Sequence, residues 1–250
     1  PVVMGGQEDV MTVDANKKTD WTFFMDNYLF ITPSIDRDYT AGLSIVFSGD
    51  SAAKHPLSMD AIVGVFDSLS GINIGEDLRF HSYEFGMTGF TPNDIFTSFP
   101  VQDDRPYASL VYVANSRQYV RTNNKSSLIS TFSLGVLGLD IAGNLQNSVH
   151  KIINLDEAQG WHNQISNGGE LTFLYSVSGQ RVRWSNYTDD NSYELKTAVK
   201  GGIGYLTDLT LSLSGRWGRI RSPWWTFNPQ TSEYTEKSAP ALATLKSLQK

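Results

Sequence analysis

Apolar and polar residues alternate at period two through several long stretches of the chain. Leu209, Leu211, Leu213, Gly215 and Trp217 oppose Thr210, Ser212, Ser214 and Arg216. Tyr193, Leu195, Thr197, Val199, Ile203 and Tyr205 oppose Glu194, Lys196, Ala198 and Lys200. Leu171, Phe173, Tyr175 and Val177 oppose Glu170, Thr172 and Ser176, and Tyr39, Ala41, Leu43, Ile45 and Phe47 alternate with Thr40, Gly42, Ser44 and Ser48. Successive side chains of a strand point to opposite faces, so each dyad predicts a strand with one greasy face.

The pattern predicts strands near 20–31, 38–49, 78–90, 106–121, 125–138, 169–178, 180–187, 192–205 and 208–220. Turn signals separate them at Thr122-Asn123-Asn124-Lys125, Ser178-Gly179-Gln180, Thr188-Asp189-Asp190-Asn191 and Thr207-Asp208. Two stretches, 55–70 and 143–155, carry helical spacing instead, the second through Leu145, Val149, Ile152 and Ile153. They predict short helices in long extracellular loops.

Many of the strands reach about ten residues, the length a tilted strand needs to cross a bilayer. Strands of soluble proteins average about five or six. The polar faces include Arg and Lys, which suits a wet interior better than a dry core. The expectation is therefore an all-β protein, an antiparallel transmembrane β-barrel forming a single domain over 1–250. A soluble β-sandwich or lipocalin-like barrel is the competing fold. Nine strands sit awkwardly with the even counts of bacterial barrels, and the tail, 231–250, has no dyad and reads as loop or weak helix. A chain cut short before its last strands is the expectation that reconciles them.

Composition narrows the classes. Mean hydropathy is −0.26, and the longest apolar stretch, 61–69 (AIVGVFDSL), is far too short for a spanning helix and carries Asp67. A barrel hides its apolar face in alternate residues, so a membrane remains open. The net charge of −6, with scattered Lys and Arg, argues against nucleic acid. The absence of cysteine removes disulfide frameworks, zinc knuckles and thiol nucleophiles. Aromatics reach 12%, which interfacial girdles explain. No charged and apolar leader follows Pro1.

No G-x-S-x-G, H-E-x-x-H or P-loop occurs. Gly201-Gly202-Ile203-Gly204 is glycine-rich but lies within a predicted strand. Of the four histidines, His150 falls on the helix 144–155, one turn after Gln146. Asp156 or Glu157 could accept from its second nitrogen and set its tautomer. It is either a surface histidine or a base. Asp26-Asn27 and Asp36-Arg37-Asp38-Tyr39-Thr40-Ala41-Gly42 gather carboxylates, an amide and carbonyls, the hard oxygen donors calcium takes, or form an ordinary solvated loop. Asp103-Asp104-Arg105-Pro106-Tyr107-Ala108 reads as a structural turn leading into a strand.

In that order, Asp26-Asn27, Asp36-Arg37-Asp38-Tyr39-Thr40-x-Gly42, Asp104-Arg105-Pro106-Tyr107-Ala108 and Gln146-x-x-x-His150 with Gly160-Trp161-x-x-Gln164 resemble the lipid A 3′-O-deacylase family of outer-membrane barrels. Thr91-Pro92 and Arg221-Ser222-Pro223-Trp224 extend the likeness over about 20–228. Met25 stands where family members often carry Asn or Glu. The resemblance implies a twelve-stranded barrel in the bacterial outer membrane, working as a monomer. It implies calcium-dependent removal of the 3′-linked acyloxyacyl chain of lipid A, with lipopolysaccharide and outer-membrane lipids as partners. His150 would be the general base, with Gln146 beside it, and Asp26, Asn27, Thr40 and Gly42 would lie at the calcium. The alternatives are a non-catalytic pore or adhesin, and an outer-membrane phospholipase or esterase with another lipid substrate.

Overall fold

The computed structural model describes residues 3–4, 11–13, 20–27, 38–72, 75–188, 191–220, 222–229 and 245–246. Short strands β1 (Val3–Met4) and β2 (Met11–Val13) open the chain. The main sheet is an antiparallel meander of β3 (Asp20–Asn27), β4 (Asp38–Ser48), β5 (Leu78–Thr91), β6 (Ala108–Arg121), β7 (Ser126–Leu137), β8 (Glu170–Asn186), β9 (Ser192–Gly204) and β10 (Asp208–Gly218), each paired with the next. A two-residue strand, β11 (Leu245–Lys246), pairs with β2, within the tail expected to be loop or helix.

The two faces are inverted relative to a soluble protein. On the exposed face Leu209, Leu211, Leu213 and Trp217 are each at least 69% accessible, and Ile45, Phe85, Phe173, Val199 and Ile203 continue it. The opposite face is buried and polar, with Ser44, Ser82, Glu84, Thr88, Ser116, Gln118, Ser178, Gln180, Glu194 and Lys196. Arg216 Nε donates there to Glu194 Oε1 at 2.7 Å, and Tyr112 Oη donates to Glu84 Oε1 at 2.8 Å. Trp224 and Trp225 plug one end of this face, where Gln118 Nε2 donates to the Trp225 carbonyl at 2.9 Å. Water cannot stabilise so large an apolar surface, and a lipid bilayer can.

Two expectations need correction. The predicted turn at Ser178-Gly179-Gln180 is the middle of β8, a single 17-residue strand. Gly179 pairs with Leu128 on one side and Val199 on the other, so ladder hydrogen bonds from both neighbours override the local turn signal. The eight strands of the main sheet replace the nine predicted. The helices also do not share one side. α1 (Asp50–Ala53) and α2 (Asp60–Leu69) join β4 to β5, whereas α3 (Ile141–Ile152) joins β7 to β8. In a meander those connections leave opposite ends of the sheet, so only one can be extracellular.

Both α2 and α3 lean on the exposed face. α2 is inverted like the sheet: Ile62, Val65 and Leu69 are exposed, while Asp67 is buried toward the wall. Asp67 accepts from Tyr119 and Tyr175 at 2.8 Å and from Ser130 at 3.0 Å, and Arg117 holds Asp60 through Nε at 2.8 Å.

Candidate functional site

α3 turns a narrow stripe toward the sheet. Ala142, Gly143, Gln146 and His150 are its buried positions, spaced as one helical face. The two polar members occupy places where an ordinary amphipathic helix carries apolar residues. Trp161, in a short 3₁₀ turn (Trp161–Asn163), donates from Nε1 to Gln146 Oε1 at 2.7 Å. Gly143 makes this possible, because a Cβ there would lie 2.6 Å from Trp161 Cγ. The indole also packs on Tyr107, ring centroids 4.9 Å apart, and both join Met87, Ile95, Ala142 and Ala158 in one apolar cluster.

His150 is 2% exposed, not a surface residue. Its Nδ1 lies 2.7 Å from the main-chain carbonyl oxygen of Asp156. A carbonyl can only accept, so Nδ1 carries a proton, and in the neutral form of the ring the lone pair is on Nε2. The orienting acceptor is thus the peptide of Asp156, with neither carboxylate acting as the partner of Nδ1.

The loop 92–107 is fastened to the same end. Asp104 Oδ2 accepts from the Asn93 amide at 2.6 Å, and Oδ1 from the Arg105 amide at 2.8 Å. Those two main-chain donors hold the Asp104 carboxyl below the usual aspartate range. Tyr107 Oη donates to the Ile95 carbonyl at 3.1 Å, and the Ser109 hydroxyl bonds Gln164 at 2.9 Å. The charged turn at 103–105 therefore has the structural duty read from the sequence, tying Thr91-Pro92-Asn93 to Asp104-Arg105-Pro106.

Strand register decides which remaining residues meet. Asp26 pairs with Gly42, and Gly42 with Thr88. One row on, Asn27 pairs with Ala41 and Ala41 with Gly89, where an added Cβ would meet Ala142 of α3 at 3.3 Å. Thr40 falls at the register shift between Tyr39 and Ala41, so it is the extra residue of a β-bulge. Asp26, Asn27, Thr40 and Gly42 thus cluster at the α3 end of the sheet, and the row that touches α3 is that of Asn27.

Among the described residues no group of three or more His, Asp or Glu stands close enough to hold a metal. A calcium here would draw on carbonyls and hydroxyls as well as one carboxylate, and calcium accepts such donors. The Thr88 hydroxyl is buried, has no hydrogen-bond partner among the described residues, and stands in the row of Asp26 and Gly42. It faces the polar side of the wall, whereas α3 meets the next row at Gly89, so this hydroxyl stands apart from His150. Nothing in the local sequence marks Thr88, since its place beside Asp26 arises only from pairing across three strands.

A long-stranded antiparallel wall, apolar outside and charged within, with a histidine-bearing helix against its outer surface, defines a membrane-embedded β protein. The family model described as "Outer membrane protein LpxR" matches residues 3–244. The chain belongs to that family, and its place is the outer membrane. Among solved structures it is similar to LpxR from Salmonella typhimurium, with 18% identity and a TM-score of 0.57, over 77% of this chain and 56% of that one. That likeness shows the fold, and the chain spans about half the length of that protein. No curated protein matches.

Proposed function

We propose that the protein is a lipid A 3′-O-deacylase, an ester hydrolase removing the 3′-linked acyloxyacyl chain of lipid A at the outer leaflet. The observation that carries this reading is the burial of His150 beneath α3, with its Nδ1 2.7 Å from the Asp156 carbonyl oxygen, in a member of this family. A buried imidazole with its lone pair on Nε2 is prepared to accept a proton from water. The water oxygen bonds the ester carbonyl carbon, and the proton passes to His150. The bond to the sugar 3′ oxygen then breaks, and His150 returns the proton to that oxygen. Products are a 3-acyloxy fatty acid and a free 3′ hydroxyl.

Gln146 and Trp161 act through position, keeping α3 at a set height over the wall. Asp26, Asn27, Thr40 and Gly42 are the residues that would hold calcium. A bound calcium ion supplies electrostatic stabilisation of the oxyanion that forms at the carbonyl. The site's position on the exposed face of the wall lets acyl chains stay in the membrane while the ester reaches His150.

The test is release of fatty acid from lipid A in mixed micelles by the purified protein. His150→Ala is expected to lower the rate by about 10²–10⁴-fold, the usual contribution of a general base. Chelation of calcium is expected to abolish activity and calcium addition to restore it. A His150→Ala protein with an unchanged rate would remove the assigned base.

A further inference from the structure

At the end of the sheet opposite α3, basic residues gather on the exposed face. Arg121 pairs with Ser126, Ser126 with Arg181 and Arg181 with Thr197, so one register row crosses four strands. β8 carries a bulge between Val182 and Trp184. The inserted residue lets Arg181, Arg183 and Trp184 all lie exposed, whereas strict alternation would bury one of them. Arg183 donates through Nε to Thr197 Oγ1 at 2.8 Å, and Arg121 through Nε to the Gly75 carbonyl at 2.6 Å. The Arg181 guanidinium has no hydrogen bond or ion pair among the described residues. Asp77 lies close enough to Arg121 to feel its charge, but the Thr122 amide and hydroxyl occupy its carboxylate.

These arginines line a groove of about 270 Å³. Its floor is Gly179, where an added Cβ would meet nothing within 4 Å. Leu128 and Val199 flank Gly179 in register, and Val199 is 49% exposed. The groove is thus cationic at one end and apolar along its length. Trp184, Tyr193 and Trp217 are exposed at the same end of the wall, at 64%, 50% and 85%. Amphipathic rings of that kind mark the level of the lipid headgroups. The apolar stripe Ile62–Val65–Leu69 of α2 belongs to the same surface, since α2 is moored to Tyr119 beside the groove.

We propose that the Arg121–Arg181–Arg183 groove binds the phosphate of an anionic glycerophospholipid, with an acyl chain lying over Gly179 between Leu128 and Val199. Guanidinium forks bind phosphate oxygens in pairs and are weakly hydrated, which suits a site at the rim of a bilayer. The choice of a glycerophospholipid rather than lipid A rests on the proposed function, which sets α3 at the outer leaflet and this groove at the inner one.

Lipid retention tests it without reference to catalysis. The full-length protein is reconstituted in phosphatidylcholine nanodiscs doped with phosphatidylglycerol, released into detergent, and its retained lipid measured by native mass spectrometry. Phosphatidylglycerol is expected to be enriched over phosphatidylcholine. Arg181→Gln with Arg183→Gln is expected to lower retention about tenfold, the loss of one or two charge-assisted hydrogen bonds. Both residues are exposed, and a matching circular dichroism spectrum checks the fold. Gly179→Val, which fills the floor, is expected to lower phosphatidylglycerol retention while leaving inorganic phosphate binding unchanged. Equal retention of both lipids, or no effect of the arginine pair, overturns the proposal. Binding of inorganic phosphate alone, with phosphatidylglycerol retention indifferent to Gly179→Val, reduces the groove to an anion site and overturns it as well. Loss of deacylase activity with lipid retention intact would count against the proposed reaction and leave this groove standing.

Discussion

The indole nitrogen of Trp161 donates to the side-chain carbonyl of Gln146 at 2.7 Å, and both side chains are buried between α3 and the wall. This bond joins the short turn after α3 to the helix one turn before His150, so it sets the height and rotation of the candidate base. Removing the acceptor leaves a buried N–H unsatisfied. Gln146→Leu is expected to cost about 1–3 kcal/mol of stability and to lower the hydrolytic rate while the sheet stays folded. Denaturant titration followed by Trp fluorescence, beside the fatty-acid release assay, checks both.

Gly143 packs against the same indole. With a Cβ 2.6 Å from Trp161 Cγ, even Gly143→Ala forces ring or helix to move. Overpacking of this kind costs about 1–3 kcal/mol, and here its functional effect is expected to exceed its effect on the sheet. The measurable outcome is loss of activity in a protein whose strand content by circular dichroism is unchanged.

α2 is held to the wall by charge and hydroxyl contacts. Asp67→Ala withdraws the acceptor from Tyr119, Tyr175 and Ser130 and leaves Arg117 nearby with Asp60 alone. Loss of one member of a buried ionic network costs about 3–5 kcal/mol, and α2 is expected to detach before the sheet unfolds. Hydrogen exchange should show faster amides in α2 with those of β6 and β7 little changed. Equal acceleration everywhere would place Asp67 in the stability of the whole sheet.

The clamp at Asp104 carries a pH dependence of known sign. Its folded pKa lies below the usual aspartate value because the Asn93 and Arg105 amides bond the ionised form. The clamp therefore contributes fully above about pH 4, the ordinary aspartate value, and is lost as pH falls through the lower folded value. Exchange protection of the Asn93 and Arg105 amides is expected to fall in that acid window. In Asp104→Asn the same protection should be weaker at neutral pH and flat through the acid range.

Most of the wall was legible in the alternation of residues. Lipid outside and charge inside keep period two intact along β9 and β10, so strand faces and boundaries follow directly. β8 was not legible as one strand, because Gly179 looks like a turn until two neighbours bond to it. Within the site, Gln146 and His150 were visible through their spacing, and their burial was not. The Asp156 carbonyl could not be chosen over the nearby carboxylates, since a main-chain acceptor leaves no mark in composition. Thr88, Asp67 and the arginine row depend on pairings across 50 residues or more or across several strands. The pairs Asp26 with Gly42 and Asn27 with Ala41 again came from register, and they place Asn27 in the row nearest α3.

The most direct test of the central claim is mass spectrometry of lipid A from cells expressing the protein, beside His150→Ala cells and with calcium present or chelated. Deacylation with His150 as base and calcium bound predicts loss of the mass of the 3′ acyloxyacyl group, abolished by either perturbation. Unchanged lipid A, with the protein folded in the outer membrane, would contradict it and point to another ester substrate or to a non-catalytic wall.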